Sequence, residues 1–296
     1  MALLLVKWNC PGKSHPNKQK TTRMKTIVLA TDFSVTAERA MLYAGQLANA
    51  IDASVLLLHV YQIPVGMNDM PVLVVSTEEL KKNAETGLER AKKLLQANFA
   101  YIDVRTEARL GDVIDEIEDV CNKTNPIAVV IGKHGASGVQ RILFGSTSLA
   151  IIRHISYPVI AVPDSWKKEK ANIGALAVDE SVEKLEIQKI RSIVQELKIQ
   201  LRIIHVKQEK SASLPVKNLV TGLNSNYETV YDHEFVHGIE SYIKQNDVDL
   251  LIIHPHKHNL VERLFFRTHT KELLKKISIP IMCINENVNP LTLKTG

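Results

Sequence analysis

The chain is written twice, and this limits its fold more than any other feature. Residues 25–60 read KTIVLATDFSVTAERAMLYAGQLANAIDASVLLLHV, and residues 172–206 read NIGALAVDESVEKLEIQKIRSIVQELKIQLRIIHV. Both run from an apolar strand to an Asp, a Ser, a helix-period stretch and a second apolar strand ending in His-Val. Asp32 matches Asp179, and His59-Val60 matches His205-Val206. The far ends agree as well: residues 127–163 and 250–285 align with Arg141 on Arg263 and Pro158 on Pro280. Such self-similarity means one supersecondary plan built two times. At about 150 residues per domain, a chain of 296 residues also makes two domains.

Each copy alternates strands and helices. In the first, IVLAT, VLLLHV, residues 102–109, AVVIG and PVIAVP read as strands, and residues 36–50, 78–99, 113–123 and 146–154 as helices. Continuous Val/Ile/Leu strands separated by helices describe a parallel sheet covered on both faces. Right-handed crossovers then wind it doubly. The expected fold is α/β: two tandem doubly wound domains, each a five-stranded parallel sheet with helices on both faces. The expected boundaries are a disordered extension at 1–23, a first domain at 24–164, a charged linker at 165–171, a second domain at 172–286 and a tail at 287–296. Met24, which opens a clean strand, reads as the natural start. The preceding MALLLV falls short of the ~7–15 apolar residues of a secretory segment. A short membrane-tethering tail is the alternative there.

Composition excludes several function classes. With 45% hydrophobic and 23% charged residues the chain is an ordinary soluble one. Its net charge of +5 is scattered and aromatics are 5%, so no basic, aromatic-laced patch for nucleic acid stands out. No apolar run reaches the ~18 residues of a membrane span. Cys10, Cys121 and Cys283 are far apart and form no CxxC pair, which fits a reducing, cytoplasmic compartment.

Doubly wound sheets bind ligands beyond the carboxyl ends of their strands. Thr31-Asp32, His59-Val60 and the loop from Gly132 are therefore the residues to read. That loop runs Gly132-Lys-His134-Gly135 to Gly145-Ser146-Thr147 and enters a helix. Glycines admit a phosphate close to the backbone, and a helix start offers unpaired N–H groups and the positive dipole end. This is a recipe for a phosphate cradle, though neither the Walker nor the Rossmann spacing. The alternative is a glycine turn with a helix cap. Asp32 has two compatible readings, ligand contact and the cap of the following helix.

Gly-x2-Gly-x9-Gly-Ser after the fourth strand, with an Asp after the first and a Pro-Val-x-x-Val-Pro last strand, resembles the universal stress protein family. The resemblance covers nearly the whole chain as two copies and implies an adenine nucleotide alpha hydrolase-like fold. It implies ATP, with Mg²⁺, as ligand: adenine and ribose near Thr31, Asp32 and Val60, phosphates on Gly132, Gly135, Gly145, Ser146 and Thr147, and His134 and Arg141 close by. It implies a stress-response sensor or regulator with little or no turnover; a slow ATP-hydrolysing or adenylyl-transferring enzyme and a non-nucleotide assembly module are the alternatives. Single domains of the family pair through their last strands. Here PVIAVP and PIMCIN can pair within one chain, with a homodimer as the alternative.

The second copy departs from the motif. His254 stands at the place of Gly132, Lys257 at Gly135 and Arg267 at Gly145, so side chains fill the phosphate space. Nucleotide is expected in the first domain only. His254, His256, His258 and His269 form a local cluster, read as solvated loop histidines over a metal site. A basic anion pocket from His254, Lys257, Arg263 and Arg267 is a further alternative. Cys121 and Cys283 read as small buried hydrophobes, and Ser34 as a helix-start residue.

Overall fold

The computed structural model describes residues 24–63, 76–133, 145–167, 172–178, 183–207, 226–254, 277–285 and 288. In the first half these form β1 (Thr26–Ala30), α1 (Val35–Ile51), β2 (Ser54–Tyr61), α2 (Thr77–Asn98), β3 (Val104–Leu110), α3 (Val113–Thr124), β4 (Ala128–Gly132), α4 (Ser146–His154) and β5 (Val159–Val162). In the second half they form β6 (Ile173–Val178), α5 (Lys184–Glu196), β7 (Gln200–Lys207), β8 (Asn226–Tyr231), α6 (Phe235–Gln245), β9 (Leu250–Ile253) and β10 (Ile281–Cys283).

The strands make one ten-stranded sheet in the order β3-β2-β1-β4-β5-β10-β9-β6-β7-β8. Each half is a five-stranded parallel sheet with the same internal order. The halves meet where β5 runs antiparallel to β10, with Ile160 opposite Met282. Within the first half the chain steps from β1 to β2 and β3 on one side, then returns to β4 and β5 on the other. The switch point lies between β1 and β4, whose pairing sets Val28 beside Val129.

Local sequence explains the elements. The strand interiors are β-branched and leucine-rich, and Ile27, Val28, Leu29, Val129 and Val130 are fully buried. Each such side chain contributes about 1.5–3 kcal/mol by leaving water. Helix α1 turns Ala40, Ala44 and Ala48 to the sheet, small enough for close packing. It begins at Ser34, whose hydroxyl accepts from the Ala37 N–H, and ends at Asp52 in the left-handed region. Asp112 caps α3 by accepting from the Ile114 and Asp115 N–H groups. In α2, Ala84, Leu88 and Leu95 are buried, whereas Leu94 faces outward.

The stretch expected as a charged linker is anchored at its start. Trp166 is buried and meets Tyr43 edge-on at 5.8 Å, and the Ser165 hydroxyl donates to the Ser278 carbonyl. Lys25 and Glu196 form an ion pair between the halves. Among the described residues no helix is long and apolar enough to cross a membrane.

Candidate functional site

At the switch point lies a cavity of about 340 Å³, at the small end of the ~300–1,000 Å³ usual for ligand pockets. Its interior is apolar. Leu58 and Val60 come from β2, Ile131 from β4, and Val113 and Ile117 from α3. Its rim is polar and comes from two loops, the one after β1 and the one between β4 and α4. Thr31, Asp32, Gly132, Gly145, Ser146 and Thr147 all lie on it. Seven of the nine site residues expected from the sequence therefore share one cavity. His134, Gly135 and Arg141 lie outside the described residues.

The loop after β1 is held by its own polar groups. The Thr31 N–H donates to the Leu58 carbonyl at 2.9 Å, and His59 donates through Nδ1 to the Thr31 carbonyl at 2.7 Å. Phe33 sits at φ 61°, a left-handed backbone that costs a bulky residue energy. The turn is supported because the Phe33 N–H donates to Thr31 Oγ1 and the Phe33 ring lies 4.4 Å from that of His59. Asp32 Oδ1 accepts from the Ser34 N–H at 3.1 Å. The cap of α1 is thus Ser34 and not Asp32, whose exposed carboxylate stands at the cavity edge. It is the one charged side chain among the described residues lining the cavity.

The opposite wall is built for close approach. A β-carbon on Gly132 would lie 3.1–3.2 Å from the backbone of Thr36 and Ala37 at the start of α1, so any side chain there presses on that helix. Gly145 opens α4 without any side-chain cap on its first turn. Among the described residues no side chain caps the first N–H groups of that helix, which lie at the positive end of its dipole. Ser146 and Thr147 are exposed there, while the buried Ser148 hydroxyl donates to the Gly132 carbonyl at 3.0 Å. That bond ties the two pieces of the cradle together. The fit to a phosphate rests on the start of α4, which lines the cavity beside Gly132 with no side-chain cap among the described residues.

Lys133 follows directly. Its N–H donates to the Val162 carbonyl at 2.8 Å and its carbonyl accepts from the Gly145 N–H at 3.4 Å. The side chain is 4% exposed and donates through Nζ to the Ile277 carbonyl at 2.9 Å. Burial lowers its pKa to about 8, opposed by the charge of Asp164. Burial also raises the thiol of Cys121, helped by Glu118, and pushes that of Cys283 up to about 12. Both cysteines are buried, as their apolar surroundings in the sequence suggest.

In the second half, His254 stands where Gly132 does in the first. Its imidazole is 8% exposed, with Nδ1 2.5 Å from the Ile284 carbonyl and Nε2 3.6 Å from the Glu186 carboxylate. A ring and a carboxylate thus crowd the strand end that is bare in the first half. His256, His258, His269, Lys257, Arg263 and Arg267 lie outside the described residues. Among those described, no group of three or more His, Cys, Asp or Glu is placed to hold a metal ion.

Sequence reasoning missed several contributors. Val113 and Ile117 form a cavity wall from α3, Ser148 ties the cradle together, and Lys133 crosses to the other half. The amphipathic spacing of α3 signals its buried face, but nothing in the sequence says that this face reaches the site.

A doubly wound sheet with a polar-rimmed cavity at its switch point defines the class: a doubly wound α/β domain. Residues 24–163 match the model of the universal stress protein family. A universal stress protein of Methanocaldococcus jannaschii is 29% identical over 146 residues, covering 49% of this chain and 85% of that one. A universal stress protein of Synechocystis is 26% identical over 291 residues, covering 88% of this chain and 99% of its own. The crystal structure of a universal stress protein from Archaeoglobus fulgidus has the same fold, with a TM-score of 0.63 at 18% identity over 88% of this chain and 96% of that one. The chain thus carries a universal stress protein domain at residues 24–163, and its likeness to the Synechocystis protein runs through both halves.

Proposed function

We propose that the first half binds ATP, with Mg²⁺, and that the protein is a cytoplasmic stress-response sensor or regulator whose conformation follows nucleotide, with little or no turnover. The observation that carries this is the cavity itself. Its apolar lining suits a purine ring against Leu58 and Val60, and Thr31 and Asp32 on its rim suit hydrogen bonds to a ribose. The bare start of α4, with Gly132 opposite, suits phosphates on Gly132, Gly145, Ser146 and Thr147, and the loop with His134 and Gly135 joins these two pieces. Asp32 is the cavity's carboxylate for a metal ion arriving with the nucleotide. The second half acts as a structural or regulatory partner, since His254 and Glu186 crowd its strand end.

The test is calorimetric titration of the full chain with ATP and Mg²⁺, beside Gly145→Asp. Aspartate is a favoured first cap, so this variant keeps the helix while setting a negative charge where phosphate would lie. One site per chain, lost in the variant, is the expected result. No heat from a natively folded wild type refutes the reading.

A further inference from the structure

The phosphate side of the cavity is made by the end of β4 and the start of α4, and the second half holds both from behind. Lys133 lies between these pieces, hydrogen-bonded through its backbone to Val162 and Gly145. Its side chain leaves the site and donates to the Ile277 carbonyl of the second half. At the far end of α4 the last carbonyls lack helical partners. Two of them, Ile152 and Ile155, accept from the Asn285 side-chain amide, each at 3.0 Å. An amide nitrogen has two N–H donors, and here both serve α4. Ile277 and Asn285 flank β10, the strand that pairs with β5. One short segment of the second half therefore secures both the loop root and the helix of the first half's cradle.

The arrangement is one-sided. The repeat matches Lys133 with Pro255 and Asn285 with Pro163. Proline has no side-chain donor, so neither contact can be returned by the equivalent residue. The half with the bare cradle receives both bonds.

We infer that Lys133 and Asn285 are positioning residues through which the second half sets the geometry of the nucleotide cradle, so that nucleotide binding and the seating of segment 277–285 are linked. This rests on the proposed nucleotide reading. Linkage is reciprocal: if the segment positions the cradle, an occupied cradle must steady the segment.

The experiment uses the full chain. ATP with Mg²⁺ is titrated into wild type, Lys133→Met, Asn285→Ala and Glu196→Gln. Glu196 makes another bond between the halves, to Lys25, but it lies outside segment 277–285 and none of its hydrogen bonds among the described residues goes to β4 or α4, so it controls for weakened pairing alone. In addition, hydrogen exchange of the wild type is followed across residues 277–285 with and without ATP. Loss of a positioning bond weakens ATP binding by about tenfold, corresponding to about 1.4 kcal/mol. This is expected for Lys133→Met and Asn285→Ala, with Glu196→Gln close to wild type and slower exchange in segment 277–285 on adding ATP. Wild-type binding with both variants within twofold of it overturns the inference while leaving nucleotide binding intact. Unchanged exchange in a wild type that binds ATP does the same, even if a variant fails to fold. A wild type that takes no ATP overturns the nucleotide reading first and this inference with it.

Discussion

Replacing Lys133 by Met should convert one buried ammonium into a measurable pH dependence. Lys133 is 4% exposed, and burial lowers its pKa from the ordinary 10.5 to about 8. At about 1.36 kcal/mol per pKa unit, the folded chain disfavours the charged lysine by about 3 kcal/mol relative to the unfolded chain. Well below pH 8 both states hold the proton, and this cost is fully present. Between pH 8 and 10.5 the folded chain has released a proton that the unfolded chain keeps, so stability rises with pH. Lys133→Met has no such proton. Wild-type minus variant unfolding free energy, from urea titrations at several pH values, should be level in the acidic and neutral range. It should then climb by up to about 3 kcal/mol toward pH 10.5. Titrations of the other lysines cancel in the difference. Near neutrality the variant also loses a charge-assisted bond of about 1.5–3 kcal/mol to Ile277, so the two stabilities lie close there. A difference that stays level throughout would show that Lys133 titrates as an exposed lysine and would refute its buried placement.

Gly132→Ala should destabilise the protein by about 1–3 kcal/mol, because the added carbon presses on main-chain atoms that have little room to give. Thermal unfolding reads this, and the same variant should bind ATP more weakly in a titration. Cys121 and Cys283 should resist a thiol reagent in the native chain and react once it is denatured, as peptide mapping by mass spectrometry would show; ready native labelling of either refutes its burial.

What could be read from the sequence follows the range of the forces involved. AVVIG is β4 and residues 146–154 are α4, as the apolar run and the glycine-bounded helix predict. Strand patterning and capping are local, so they leave local traces. The convergence of Thr31, Asp32, Val60, Gly132, Gly145, Ser146 and Thr147 was legible too, because strand order in a doubly wound sheet brings its carboxyl ends together. The cap of α1 was legible only as a choice between Asp32 and Ser34, both read as residues at the helix start. Ser34 takes that role because Phe33 turns into a left-handed conformation, held by the Thr31 hydroxyl and the His59 ring, and a single sequence gives no sign of that turn. Trp166 was hidden among charged neighbours, and its burial depends on Tyr43, far away in the chain. Lys133 looked like part of a phosphate loop, whereas its side chain points to the other half. His134 and Gly135 fall outside the described residues.

The meeting of β5 and β10 sets Ile160 opposite Met282, and the repeat makes these two positions equivalents of each other. In a dimer of identical chains every substitution appears on both sides of the axis, so neither face can change alone. Here the two sides are encoded separately. One can retain a bare glycine at its strand end while the other acquires a histidine, and neither change need disturb the seam. A false symmetry axis of this kind lets a single polypeptide change one of its sides and leave the other as it was.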